Sequence, residues 1–205
     1  MQIGSQEAAS ALATILSLPP LPLHAYATRS QPDPWTRTGW TKAHILHLVD
    51  ALRTWDYLPF CLFSEDLFMR DYESGSTRFC SSALVHAILA LSTRLINEAS
   101  DDGGLLPSGW LRSQLFADEA KALIKEAGQD RSLPDIQAQG LLALYQLRCG
   151  HESEACEQAE TFLSRVTELC RDATASTEGD EYASVRVTTY CGAVSLLRYV
   201  APDWR

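Results

Sequence analysis

The sequence predicts an all-α fold, an irregular helical bundle of about six to seven helices joined by short loops. Three observations predict it. Apolar residues recur at steps of three and four from about residue 42 to residue 200. Helix starts and stops punctuate that pattern, as in Ser132 followed by Asp135, and in Gly128 and Gly150. No strand-type alternation or hairpin turn signal stands out between them. With 46% hydrophobic and 21% charged residues in 205, the chain can fill a core and is globular rather than disordered.

The elements follow in chain order. Residues 6 to 18 suit a short Ala-rich helix, which "PPLPL" stops because proline lacks the N–H that a helix needs. Residues 19 to 38 are rich in Pro, Ser and Thr and read as linker. The division is therefore 1–38, a short helix and Pro-rich linker, and 39–205, a helical domain. In "TKAHILHLVDALRTW", Ile45, Leu48, Val49 and Leu52 share one helix face, with Thr41 as N-cap. Ser64 with Glu65 and Asp66 starts the next helix, because acids suit the positive end of its dipole. Phe60, Phe63, Leu67, Phe68 and Tyr72 around it form an aromatic core cluster.

From Ala83 to Leu91 only His86 is polar, which predicts a helix buried on nearly all sides at the centre of the domain. Gly and Asp in "NEASDDGGLLPSG" break it. Helix resumes at "WLRSQLFADEAKALIKEAG", with Phe116, Ala120, Leu123 and Ala127 inward and Gly128 as its stop. The segment "SLPDIQAQGLLALYQLRCG" opens with a capping box, Ser132 and Asp135, and holds Pro134 in its first turn. Ile136, Gly140, Ala143 and Leu147 form its stripe, widened by Leu141, Leu142, Leu144 and Tyr145, and Gly150 ends it. Ala155, Ala159, Phe162, Val166 and Leu169 answer that stripe from the following helix. Gly140 and Ala143 are expected to meet Ala155 and Ala159 across a close crossing. A polar acidic loop, "DATASTEGDEYASV", precedes a last helix from about Tyr182 to Val200.

Composition and motifs exclude several functions. The formal net charge of −9, with no offsetting basic run, repels phosphate backbones. Trp35, Trp40, Trp55, Trp110 and Trp204 do not alternate with basic residues, so they offer no base-stacking platform. No apolar run is long enough to cross a membrane. An apolar stretch ending in A-x-A at Ala27 lacks the basic n-region of a signal peptide and carries Glu7. Phosphate-loop, dinucleotide and nucleophile-elbow motifs are absent. His44, His47 and Asp50 share a helix face but are too few for a metal site. His86 reads as a core histidine bonded to backbone, and Cys149 with His151 sits at a helix end that disfavours a thiolate. The six cysteines form no C-x-x-C pair and read as reduced thiols in the core. The expectation is no catalytic, cofactor-binding or metal-binding residue, no cofactor and no enzyme.

Three blocks together resemble a known family. They are "LFSEDLFMRDYESG", "SSALVHAILALSTRLI" and "SLPDIQAQGLLALYQLRCGHESEACEQAETFLSRVTELC". In this order they resemble the middle homology, or regulatory, region of fungal zinc-cluster transcription factors. The matching residues are Phe63, Leu67, Phe68 and Tyr72, then Leu84, Ala87, Ile88 and Leu91, then Ile136, Gln137, Ala138, Leu141 and Leu142. "EYASVRVTTYCGAVSLLRYV" resembles the next block of the family, and the resemblance covers roughly residues 42 to 200.

The family's six-cysteine DNA-binding cluster has no counterpart here, so neither zinc nor DNA binding carries over. The resemblance implies a regulatory domain over 39–205, C-terminally truncated, in a nuclear protein. It implies action through intramolecular or partner contacts, with an effector that the sequence does not name. A helical-repeat adaptor and a small-molecule-binding or enzymatic helical domain, with His44, His47, His86 and Asp50 as its candidates, are the alternative readings. Self-association through the last helix is also expected, with Tyr190, Val194, Leu197 and Val200 as its apolar stripe.

Overall fold

The computed structural model describes residues 33–36, 42–55, 58–99, 107–128, 132–172 and 179–201. The expected helix over 6 to 18, the Thr41 cap and most of the 173–179 loop lie outside them. Among the described residues seven α-helices form an all-α bundle: α1 (Lys42–Trp55), α2 (Glu65–Ser74), α3 (Ser82–Ala99), α4 (Pro107–Glu126), α5 (Leu133–Arg148), α6 (Glu152–Asp172) and α7 (Asp180–Val200). A short 3-10 turn, Leu58–Cys61, joins α1 to α2, and there is no strand among the described residues.

Two helices form the centre. Every residue of α3 from Ala83 to Thr93 is buried, against α1, α4 and α5. This is the central helix the sequence predicts. Its one imidazole, His86, is 0% exposed, and its Nδ1 lies 2.7 Å from the Ser82 carbonyl one turn back. The expected backbone-bonded core histidine is therefore present. α5 is nearly as enclosed, packed by α3, α4, α6 and α7. Each fully buried Leu or Phe in this centre contributes about 1.5–3 kcal/mol.

The ends of α5 follow the sequence signals. Ser132 Oγ accepts from the Asp135 N–H at 3.4 Å, while the Asp135 carboxylate accepts from the Ser132 N–H at 3.2 Å. The capping box thus satisfies two orphan donors at once. Gly150 beyond the other end has φ 79°, and Gly128 beyond α4 has φ 63°, a left-handed geometry that glycine adopts without strain. α4 starts at Pro107, three residues before the expected Trp110, because proline is a good first helical residue rather than a breaker there. Ser64 caps α2 by backbone position alone, since its side chain makes no capping bond.

Ala155, Ala159, Phe162 and Val166 of α6 are fully buried against α5, as their spacing predicts. The detail of the crossing differs from the expectation. A Cβ on Gly140 would meet Phe162 Cε1 at 2.7 Å, so the missing side chain makes room for a ring rather than for Ala155 or Ala159. A second glycine, unremarked in the sequence, is tighter. A Cβ on Gly192 of α7 would lie 2.1 Å from the Cys61 carbonyl oxygen, so α7 touches the backbone of the 3-10 turn.

The stretch expected as linker ends in an anchor. Trp35 is buried, and its indole N–H donates to the Tyr72 carbonyl at 3.1 Å. The Asp33 carboxylate accepts from the Trp35 N–H at 2.8 Å and from the Tyr72 hydroxyl. Phe63, Phe68 and Tyr72 form the expected aromatic cluster, edge-on at 5.6 Å and stacked at 5.9 Å. Leu67 belongs elsewhere, with Phe79, Leu133, Tyr182 and Val185, where α2, α5 and α7 meet.

The stripe expected on α7 needs correction. Leu197 is 1% exposed, and the inward face runs through Val185, Thr189, Gly192, Ala193, Leu196 and Leu197. Small and polar residues face the core, so an apolar count points to the wrong arc. The outward apolar residues are Val187, Tyr190 and Tyr199, at 58%, 40% and 55% exposure.

Candidate functional site

An open groove of about 440 Å³ runs between the start of α2 and the first half of α7. Phe63, Leu67, Val185 and Thr189 line its depth, with Glu65 and Glu181 at its rim. α2 enters from its Ser64 cap, which places Glu65 in the first turn; α7 places Glu181 in its own first turn. Both carboxylates are engaged. The Arg53 guanidinium donates to Glu65, and Arg70 donates to Glu181 from two nitrogens at 2.9 and 3.3 Å. The bonds to Glu181, then to Asp71, raise the pKa of Arg70 above its ordinary value.

Beneath the groove lies a buried polar joint. The Gln137 side-chain amide of α5 donates to Thr189 Oγ1 of α7 at 2.9 Å, and that hydroxyl donates to the Leu62 carbonyl at 3.3 Å. Gln137 and Thr189 are each 1% exposed. One hydroxyl thus connects α5, α7 and the end of the 3-10 turn, at the floor of the groove. Buried polar links of this kind fix relative position, because separating them leaves a costly unpaired group.

A buried carboxylate shapes the neighbouring loop. Asp71 is 2% exposed; it accepts from the Phe79 N–H at 2.8 Å, from Ser76 Oγ at 3.1 Å and from Arg70 Nε at 3.0 Å. Arg70 and Arg78 flank the Phe79 ring at 5.5 and 5.3 Å. Arg70 therefore connects the loop, through Asp71, to the groove rim, through Glu181. Hydroxyls, ion-paired carboxylates and apolar side chains of this sort bind by hydrogen bonding and contact.

The sequence candidates fall elsewhere. His44 is half-buried on α1, and burial, followed by the nearby His47, pushes its pKa below 6.5. His47 and Asp50 are exposed, and Asp50 lies 3.5 Å from Arg53. No group of three metal-ligating side chains gathers among the described residues. His151 Nδ1 sits 3.0 Å from the Gln146 side-chain oxygen. All six cysteines are free. Burial pushes the Cys80 and Cys170 thiols up, as suits inert packing residues. Cys191 departs from the core expectation, since it lies exposed on the outer face of α7. Gln137 is one of the residues that carry the resemblance, but its partner is 52 positions away and nothing local marks it.

No family model matches the chain, and no solved structure matches it. Two fungal proteins do. The nitrogen assimilation transcription factor nit-4 of Neurospora crassa is 34% identical over 131 residues, 58% of this chain and 12% of that protein. The nitrogen assimilation transcription factor nirA of Emericella nidulans is 30% identical over 126 residues, again 58% of this chain, and 14% of that protein. Over this share the chain is homologous to fungal transcription factors, while it spans only a small part of their length.

Proposed function

We propose that this helical unit is a regulatory module of a fungal transcription regulator, acting through other protein segments or partners rather than by contacting DNA. The observation that carries the reading is the homology to two fungal transcription factors over 58% of the chain. The net charge of −9 supports the second half of it, since phosphate backbones are repelled. The groove of about 440 Å³ supports effector sensing: it is of the size that holds a small ligand, and its floor is the joint between three elements. A ligand or segment entering there is positioned to bias how α7 sits on α5. Nuclear location follows from the role of the relatives and belongs to the same proposal.

The test joins this chain to an unrelated DNA-binding domain upstream of a reporter gene. Reporter output should differ from that of the DNA-binding domain alone. Substitution of Thr188, which lines the groove exposed and belongs neither to the joint nor to the packed cluster around Leu67, should alter the output while the fold is kept. Unchanged output, or a sequence-specific duplex complex formed by this chain alone at moderate salt, would overturn the reading.

A further inference from the structure

The outer face of α7 carries a second pattern. Asp180, Ser184, Val187, Cys191, Val194 and Arg198 recur at steps of four and three. This is the spacing of a coiled-coil seam, and over this length it places all six on one narrow stripe. Five of the six are exposed and Val194 is half-buried, while Tyr190 flanks the stripe at 40% exposure. The stripe is a ridge. The groove lined by Thr188 and Val185 lies on one side of it, sharing Ser184 with the ridge, and an open cleft of about 350 Å³ lined by Leu163 and Leu197 lies on the other. The seam is about 27 Å long at 1.5 Å per residue.

We infer that this ridge pairs with the same ridge of a second copy of the chain, antiparallel and about a two-fold axis. The order of residues supplies the reason. Its acid is at one end, its base at the other, and its apolar residues lie between. An antiparallel register sets Asp180 of one copy against Arg198 of the other, Ser184 against Val194, and Val187 against Cys191. The two-fold axis repeats each pair, so both ends close with opposite charges and the centre joins Val187 to Cys191, with Ser184 the one polar residue between them and the ends. A parallel pairing would stack Asp180 on Asp180 and Arg198 on Arg198. Antiparallel packing also sets the helix dipoles head to tail. One helix pair of this length lies below the roughly 1,200 Å² of a standard interface, so the dimer is weak and populated at micromolar concentrations and above. It stands independently of any role in transcription.

The full chain, with reductant present, is followed by sedimentation equilibrium from low micromolar to sub-millimolar concentration. Salt is held near 0.15 M, where a Debye length of about 8 Å screens the repulsion between two acidic chains more than pairs in contact. A monomer–dimer equilibrium is expected. Val187→Glu should abolish it without lowering the melting temperature, since the side chain is 58% exposed. Asp180→Arg and Arg198→Asp should each weaken the dimer about three- to tenfold, because two contacts turn repulsive at once. The double variant should recover parental affinity. A monomer at every concentration, a dimer indifferent to Val187→Glu, or no recovery in the double variant would each overturn the pairing, the first of them leaving the face to a different partner. If Val187→Glu should unfold the chain, the charge exchange alone decides.

Discussion

Gly192 and Gly140 mark two different kinds of close approach, and they should respond differently to a methyl group. The Cβ of an alanine at 192 would sit 2.1 Å from a backbone carbonyl oxygen, which moves only if α7 moves. At 140 the obstacle is the Phe162 ring, 2.7 Å away, which can tilt. Gly192→Ala should therefore cost more than Gly140→Ala, with Gly140→Leu joining the severe class at about 1–3 kcal/mol of overpacking or more. Urea unfolding of the three variants checks the order; equal midpoints for Gly192→Ala and the parent would refute the contact. Neither partner was legible. Gly140 stands in a visible apolar stripe, so its position toward α6 could be read, but which side chain fills the gap depends on the crossing. Gly192 meets a carbonyl 131 positions earlier in the chain, and nothing local signals it. The polar joint is hidden for the same reason. Thr189→Val keeps the shape but leaves the Gln137 amide and the Leu62 carbonyl without their partner, at about 1–3 kcal/mol. Adding Gln137→Leu should cost less than the sum of the single changes, because the stranded amide is removed as well; strict additivity would show that the bond is idle. His44 gives a pH signature. Its pKa is lowered by burial below 6.5, so the folded state binds fewer protons than the unfolded chain just under that value. Its contribution is complete above pH 6.5 and falls as pH drops through the window beneath it. His44→Gln should flatten that part of the profile, and parallel parent and variant curves would contradict it.

At the scale of elements, helix ends were more legible than helix faces. A capping box is a local device, four residues long, and Ser132, Pro134 and Asp135 form it as the sequence predicts. The glycines at 128 and 150 act through their own backbone conformation and are equally local. Faces are read from apolar spacing, and this fails where small or polar residues point inward. On α7, Thr189, Gly192 and Ala193 occupy the buried arc, so Tyr190, Val194, Leu197 and Val200 look like the better stripe. On α3 the problem does not arise between Ala83 and Leu91, because only His86 is polar there and every residue is buried. The cap on α5 has a measurable value. Ser132→Ala removes the acceptor for the Asp135 N–H and the hydroxyl donor to the Asp135 carboxylate, leaving only the backbone N–H of residue 132 on it, at about 0.5–2 kcal/mol. Ser132→Asp should retain most of the stability as a capping acceptor, although two carboxylates then face each other. A melting curve for Ser132→Ala that overlays the parent would show the box to be decorative.

At the scale of the whole molecule, burial is unevenly shared, and local stability should follow it. α3 from Ala83 to Thr93 and most of α5 are buried, whereas α7 rests on the bundle by one face, through the α5–α7 joint, the α6 contact and the Gly192 crossing. Opening α7 uncovers one arc of one helix; opening α3 or α5 dismantles the core. Free energies of opening should thus rise from α7 to α5 and reach the global value only in α3 and α5. The anchor at Asp33–Thr36 extends this gradient, since Trp35 ties the segment preceding α1 to the end of α2 through the Tyr72 carbonyl. Amide hydrogen exchange reads the order directly. In dilute solution, where the chain is monomeric, the amides of 84–91 and 141–144 should exchange most slowly and those of 184–198 measurably faster. Raising the concentration should then slow the α7 amides, and those of α3 and α5 with them, because every opening that unseats α7 must also release the partner on the outer ridge, whereas fraying of the Asp33–Thr36 anchor, which leaves α7 in place, should not change. Equal protection across α3, α5 and α7 at low concentration would mean that the bundle opens only as a unit, with no element free to report what occupies the groove.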